Sequence, residues 1–116
     1  MAKPMGLQFG PYPLTDSGVD ANVSASIGAY ALGEHRTDGI FYIDYIGRSD
    51  VNLAARLKQH VTEPSPHFRF TYCPSAKAAF EKECNLYHDF TPPKNKVHPA
   101  RPQNSNWSCP RCTIFH

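Results

Sequence analysis

The sequence lacks the features that would direct it to a membrane, to the secretory pathway or to a strongly anionic partner. Its uninterrupted apolar runs are far too short to span a bilayer, so no membrane partner is expected. The N-terminal segment has no apolar stretch of the kind that a secretory signal requires, which makes a cytoplasmic protein the default expectation. The formal net charge is only +2. That balance permits an anionic partner, although nucleic-acid-binding modules are usually far more basic.

The sequence also lacks a setting that favours disulfide bonds. Four cysteines, Cys73, Cys84, Cys109 and Cys112, occur in 116 residues, and without a secretory signal a disulfide framework is not expected. Cys73 and Cys84 are predicted to be buried thiols. The length and the hydrophobic fraction of 41% suit one domain with one modest core.

Hydrophobic patterning predicts three strands. Residues 1–25 carry prolines and glycines without periodicity, which favours an irregular arm. Apolar runs predict strands at 26–32 and 40–46, and the polar stretch 33–39 between them is typical of a hairpin loop. The strict alternation at 67–72 predicts a third strand.

Two helices complete the predicted domain. One covers about 51–61, with Ser49 or Asp50 as its N-terminal cap, and the other covers 75–90. This order predicts a small α/β domain of the α+β type, in which helices flank a three-stranded antiparallel sheet. The domain is expected to span 26–95 and to be followed by a Pro-rich tail.

A glutamate occupies the apolar stripe of the second predicted helix. Glu83 lies three residues after Phe80 and four before Tyr87, so the three side chains share one face. A carboxylate on a buried face is costly unless a cation, a metal or a hydrogen-bond donor meets it. The alternative is a glutamate at the edge of the stripe that reaches water. Glu81, which could compete for a functional role, is off the stripe.

Two further sets of side chains are candidates for a site. Asn52, Arg56 and His60 are spaced by four and form a polar line beside the apolar face of the first helix. Tyr30 and Tyr45 stand near the ends of the hairpin strands, close to glycines. Taken singly, these residues fit a solvated helix face or ordinary packing in a sheet.

The order of these pieces resembles the GIY-YIG nuclease superfamily. G-A-Y at 28–30 is followed by Y-I-G at 45–47, by a helix with an arginine, by a strand and by A-F-E-K-E-C-N-L-Y-H-D-F-T-P-P-K-N at 79–95. The last segment is similar to the nuclease domain of the bacterial excision-repair incision subunit. The resemblance covers about residues 26–95. The first tripeptide reads GAY instead of GIY, and the spacing between the tripeptides is longer than usual in the family.

The resemblance implies a metal-dependent endonuclease that hydrolyses DNA phosphodiester bonds with one divalent cation, Mg²⁺ or Mn²⁺. It implies these roles: Glu83 as metal ligand, Tyr30 as general base or holder of the attacking water, Tyr45 as its support, Arg56 at the scissile phosphate, His60 assisting, and Asn95 near the site. One carboxylate suffices for Mg²⁺, which takes its remaining ligands from water and phosphate. A partner protein could supply specificity. The alternative is a catalytically silent nucleic-acid-binding or adaptor module of the same fold.

The tail, residues 96–116, poses a separate question. Cys109 and Cys112 have the C-x₂-C spacing of zinc-binding pairs, and His116 and His98 are further candidate ligands. Only the two cysteines fit a zinc pattern convincingly, and a complete structural site has four ligands. Unliganded thiols and a redox pair are the other readings. A zinc-bearing interaction protein centred on the tail is a third functional alternative.

Overall fold

The computed structural model describes residues 7–90, 92, 94–95, 98–100 and 105–111. Seven elements follow one another in these residues: β1 (Phe9–Pro13), α1 (Asp16–Asn22), β2 (Gly28–His35), β3 (Phe41–Ser49), α2 (Leu53–Lys58), β4 (His67–Tyr72) and α3 (Ala76–Phe90). The strands form one antiparallel sheet in the order β1-β4-β2-β3. The α+β class is confirmed, but the predicted three-stranded sheet is wrong, since the described residues form four strands.

The N-terminal arm predicted at residues 1–25 contains two of these elements. Strand β1 accommodates prolines because it lies at a sheet edge, where a missing backbone donor is tolerated. Helix α1 begins after Thr15, whose hydroxyl accepts a 2.9 Å hydrogen bond from the backbone nitrogen of Gly18. The helix has seven residues and fully buries Val19. Both elements are too short to give a periodic pattern, which is why the sequence reads as irregular.

The hairpin of β2 and β3 is longer than predicted. Its ladder runs from the pair Gly28–Ser49 to the pair His35–Phe41, so residues 33–35 extend β2 instead of forming a loop. Strand β3 has one neighbour in the sheet and forms its second edge. The length of β3 carries its C-terminal residues beyond the predicted end of the strand, into the candidate site described below.

Helix α2 is shorter than the predicted range 51–61. Its cap is Asn52 rather than Ser49 or Asp50, and the Asn52 side chain accepts a 3.0 Å hydrogen bond from the backbone nitrogen of Ala55. The amide oxygen thereby satisfies a donor that the first turn of the helix leaves unpaired.

The sheet separates two cores. Neighbouring residues of a strand point to opposite faces, so Tyr30 belongs to a cluster with Leu53 and Leu57 of α2, whereas Ala31 belongs to a cluster with Leu86 of α3. Both α2 and α3 contact β3. The free edge of β3 therefore runs between a helix on one face and a helix on the other.

Helix α3 buries the glutamate that the periodicity singled out. The side chains on its buried face are Ala79, Phe80, Glu83, Cys84 and Leu86. Tyr87 and Phe90, which the predicted stripe included, are only half-buried. The buried face is shifted because the tail adds Trp107 and Cys109 beside Phe80. None of the helices in the described part of the chain has the length and apolar content needed to cross a membrane.

Candidate active site at the free edge of strand β3

A groove of about 520 Å³ lies along the free edge of β3. Four parts of the chain supply its walls: the end of β3 and the turn after it, α2, α3 and the segment that follows α3. The lining residues are Tyr45, Gly47, Arg48, Asp50, Arg56, Glu83, Lys94, Asn95, His98, Pro99 and Ala100. Residues far apart in the sequence thus meet at one open surface.

The six predicted catalytic residues divide into two layers. Tyr45, Arg56, Glu83 and Asn95 line the groove. Tyr30 and His60 are buried behind it and contact Tyr45, with ring centroids 6.4 and 5.4 Å from the Tyr45 ring. The polar line predicted for α2 does not lie on one helix, because Asn52 caps α2 and His60 follows its end.

Gly47, which lines the groove, leaves room behind it for the hydroxyl of Tyr30. The two residues pair across β2 and β3, and a Cβ added at Gly47 would overlap the Tyr30 hydroxyl. Gly28 of the first tripeptide is also required sterically, because an added Cβ would overlap the backbone oxygen of Thr71 and lie 2.9 Å from Cδ2 of Leu53. The tyrosine of G-A-Y and the glycine of Y-I-G therefore form one packed unit.

Tyr30 belongs to a buried chain of hydrogen bonds. Its hydroxyl lies 2.7 Å from Nε2 of His60, and Nδ1 of His60 bonds the carboxylate of Glu63. A carboxylate accepts, so Nδ1 carries a hydrogen, and in the tautomer that has its only hydrogen on Nδ1 the Nε2 atom accepts. Tyr30 consequently donates to His60, and Glu63 holds the ring in that tautomer. Glu63 was not predicted; its only sequence signal was its position three residues after His60.

The two tyrosines are neutral phenols at physiological pH. Burial raises the pKa of Tyr30, and the positive charge of Arg56 opposes that effect only in part. Burial also raises the pKa of Tyr45, and the negative charge of Glu83 adds to it. Arg56 interacts with both phenols. Its electrostatic interaction with Tyr30 raises the pKa of Arg56, and its hydrogen bonds to Tyr30 and Tyr45 raise it further. Burial of Arg56 offsets part of this rise. Arg56 thereby connects the buried layer with the groove.

Glu83 is paired with an arginine that sequence reasoning missed. It is 7% exposed, and its Oε1 lies 2.6 Å from Nη1 of Arg48. Nε of Arg48 lies 3.0 Å from Oδ1 of Asp50. Burial raises the pKa of Glu83, and the charge of Arg48 works against that rise. The only available sequence signal for Arg48 was its position directly after Y-I-G.

Asn95 anchors the segment after α3 to the edge of β3. Its side-chain amide donates to the carbonyl of Ile46 at 2.8 Å and accepts from the nitrogen of Ile46 at 2.7 Å. The backbone nitrogen of Lys94 donates to the carbonyl of Asp44 at 3.0 Å. These contacts are those of an additional strand, so Asn95 acts as a positioning residue that sets one wall of the groove.

A second cluster beside the groove could hold a metal ion. The donor atoms of Cys84, His98 and Cys109 all lie within 4.8 Å of one another. Two of the predicted zinc ligands, His98 and Cys109, belong to it, while Cys112 and His116 lie outside the described residues. Cys84, predicted as a buried thiol, is buried and is the added member. Its contribution was not foreseen because it lies on α3 and not in the tail.

Comparisons of the chain with protein-family models, with curated proteins and with solved structures find no match. The resemblance to the GIY-YIG nucleases therefore stays a prediction. A functional assignment has to rest on the chemistry of the groove itself.

Proposed function

We propose that this protein is a divalent-metal-dependent endonuclease that hydrolyses DNA phosphodiester bonds in the groove at the edge of β3. The observation that carries the proposal is the convergence of a buried carboxylate, Glu83, a guanidinium, Arg56, and a phenol, Tyr45, on one open surface from three elements. These are the side-chain types that metal-assisted phosphodiester hydrolysis requires. They are also residues that the resemblance to the nuclease superfamily nominates.

Glu83 is the residue that would hold Mg²⁺ or Mn²⁺. A carboxylate with little exposure at the wall of a groove of about 520 Å³ fits an ion that keeps several waters and binds substrate phosphate. When bound, the ion would act as a Lewis acid on the phosphate oxygens. Arg48 competes for the same carboxylate, so binding of a cation requires Arg48 to turn toward Asp50, its second partner.

Arg56 would bind the scissile phosphate. Its guanidinium offers a planar set of donors that matches phosphate oxygens, which a lysine ammonium cannot reproduce. It lines the groove, and Nη1 is held by Oε1 of Gln59 at 2.8 Å. Lys94, another lining residue, adds positive charge for the flanking backbone of the DNA.

The proton of the attacking water has a route into the protein. Tyr30 donates its hydrogen to His60, so transfer of that proton to the imidazole would leave an oxygen able to accept the water proton. Because this hydroxyl is fully buried behind the groove, the step requires the water to penetrate behind the lining residues. Glu63 then stabilises the imidazolium. Because burial raises the pKa of Tyr30, the two transfers occur together and no standing phenolate forms. Tyr45, which lines the groove, orients the water.

A silent nucleic-acid-binding module is the second candidate, and the ion pair of Arg48 and Glu83 is the observation that favours it. The pair already satisfies the buried carboxylate, so a metal is not needed to explain why Glu83 is buried. Such a module would bind DNA through Arg56 and Lys94 without cleaving it.

A nuclease assay separates these candidates. Duplex, branched, single-stranded and damaged DNA are incubated with the full chain and Mg²⁺ or Mn²⁺, with EDTA as control. The endonuclease proposal expects cleavage of at least one substrate, loss of cleavage with EDTA and loss in Glu83→Gln. DNA binding without cleavage of any substrate would overturn the enzyme and support the silent module.

A further inference from the structure

The cluster of Cys84, His98 and Cys109 joins three separate parts of the chain. Cys84 lies on α3, His98 lies in the segment that lines the groove, and Cys109 lies in the tail. Both cysteines have no exposed surface, and their sulfurs interact by hydrogen bonding. Two buried thiols and a half-buried imidazole form a soft donor set, which suits zinc and not Mg²⁺ or Ca²⁺.

The orientation of His98 suits a metal ligand. Its Nδ1 lies 2.9 Å from the carbonyl oxygen of Pro99, which can only accept, so Nδ1 carries the ring hydrogen. Nε2 then has the lone pair, and it accepts a 3.3 Å hydrogen bond from Nε2 of His88. A ring nitrogen hydrogen directed at a backbone carbonyl is the usual outer-shell arrangement of a zinc-bound histidine. Zinc would take the place of the His88 hydrogen at Nε2.

The tail packs against α3 at the same place as the cluster. Its described residues, 105–111, form no helix or strand. They pack a small apolar cluster in which Trp107 and Cys109 contact Phe80 and Cys84, and Arg111 pairs with Asp89 on α3 at 2.8 Å. Small domains with modest cores commonly add a metal to hold such segments.

We infer that the protein binds one structural Zn²⁺ through Cys84, His98 and Cys109, and that this ion fastens the tail and the groove wall to α3. The described residues supply three ligands, and these three define the site. Because His98 also lines the groove, the ion would fix the position of that part of its wall. This zinc is separate from the cation proposed for Glu83, and its presence does not depend on nuclease activity.

Metal analysis of the full chain tests the inference without any DNA. Protein purified under reducing, anaerobic conditions is expected to contain one zinc per chain. Cys84→Ser and Cys109→Ser are each expected to lose at least ten-fold in zinc content or affinity, because a hydroxyl is a poor zinc ligand. Cys73→Ser is the matched control, since Cys73 is half-buried and is not in the cluster, and it should retain its zinc.

Two further measurements keep the test decisive if a serine variant fails to fold. Cobalt substitution of the parent protein should give the intense visible bands of a tetrahedral site and a thiolate charge-transfer band. His98→Ala should weaken zinc binding, and His98→Cys should restore it, because a thiolate can replace imidazole as a ligand.

Three results would overturn the inference. The first is a parent protein that binds no zinc or cobalt after anaerobic reconstitution. The second is full zinc content in Cys84→Ser. The third is a disulfide between Cys84 and Cys109 in the anaerobic preparation, located by mass spectrometry of unreduced peptides.

Discussion

Two groups compete for the carboxylate of Glu83. Arg48 lies 2.6 Å away in a partly desolvated pair, and the proposed divalent cation would need the same oxygens. Arg48, and not the groove residue Arg56, is the ion-pair partner of Glu83 in the structure. Because Arg48 also contacts Asp50, it retains a partner when it leaves Glu83. A bound cation could therefore replace Arg48 at the carboxylate of Glu83, while Arg48 keeps its contact with Asp50.

Glu83→Gln should abolish divalent-dependent cleavage, because a neutral amide is a poor Mg²⁺ ligand. The free energy of unfolding should fall by only about 1 kcal/mol, the net value of a typical hydrogen bond, since Arg48 keeps Asp50. Cleavage assays and urea denaturation measure the two effects. Glu81→Gln, on the same helix but off its buried face, is the control. A loss of roughly 3–5 kcal/mol, with Mg²⁺ making no difference to the parent, would identify a purely structural salt bridge.

Arg56→Ala should lower the cleavage rate about 10²–10³-fold with the fold intact, because a preorganised charged donor aimed at the phosphate is lost. Arg56→Lys retains the charge but not the planar donor set, and it should recover only part of the rate. Rates are measured at saturating Mg²⁺, with circular dichroism to monitor the fold. A rate for the alanine variant within a few-fold of the parent would remove Arg56 from the site.

Tyr30 should make stability sensitive to alkaline pH. Its pKa is raised by burial in the folded protein, so between about pH 10 and that raised value the unfolded chain loses the proton while the folded protein keeps it. Its contribution is thus present below pH 10 and lost as pH rises further. In Tyr30→Phe this loss is absent, so the stability gap to the parent should shrink by about 1.4 kcal/mol per pH unit above 10. Urea denaturation from pH 8 to 11 measures the free energy of unfolding of both proteins, and Tyr72→Phe, at an exposed tyrosine, is the control. Parallel pH curves for the parent and Tyr30→Phe would contradict the prediction.

At the scale of elements, the site depends on the free edge of β3. An edge strand presents unpaired backbone groups, and here the side chain of Asn95 pairs with them at Ile46. The helices α2 and α3 contact the same strand from opposite faces, so one edge receives Arg56 from one side and Glu83 from the other. The absence of a side chain at Gly47 leaves room for Tyr30 within this arrangement.

Gly47→Ala should therefore disturb the pairing of β2 and β3. The new Cβ would overlap the Tyr30 hydroxyl and lie 2.5 Å from its ring carbon Cζ, and such overpacking costs about 1–3 kcal/mol. Thermal denaturation measures the cost. The same change in a Tyr30→Phe background should cost less, because the nearest clashing atom is gone. Strictly additive effects of the two substitutions would show that they do not share this contact.

At the scale of the whole molecule, two metals would act in different ways. Removal of Mg²⁺ should stop cleavage without changing the melting temperature appreciably, because the Arg48 pair satisfies Glu83. Removal of zinc should lower the melting temperature, since the ion binds the folded chain. When the free ion concentration is one hundred times the dissociation constant, binding raises the free energy of unfolding by about 2.7 kcal/mol. That gain corresponds to a rise of roughly 10 °C in the melting temperature of a domain of this size. Melting curves with a weak Mg²⁺ chelator and with a strong zinc chelator compare the two, with Cys84→Ser as the control that should not respond to zinc. Equal melting temperatures with and without zinc would contradict this division.

Local patterns in the sequence predicted several helices and strands and the burial of one carboxylate, that of Glu83. The alternation at 67–72 and the helical period at 75–90 predicted β4 and α3, because side-chain spacing along one element is a local property. The same period predicted that Glu83 lies on a buried face, which the structure confirms. Tyr45, Arg56 and Asn95 were also selected from sequence and do line one groove, although their catalytic roles stay predictions.

Only the tertiary structure decided which groups meet. The partnership of Arg48 with Glu83 and the joining of Cys84 to Cys109 connect residues whose proximity no local pattern encodes. Strand β1 was missed for a related reason: its prolines oppose a central strand, and only its place at the sheet edge makes them acceptable. Spacing along the chain sets the face on which a side chain lies, whereas its partner depends on how the sheet and helices pack.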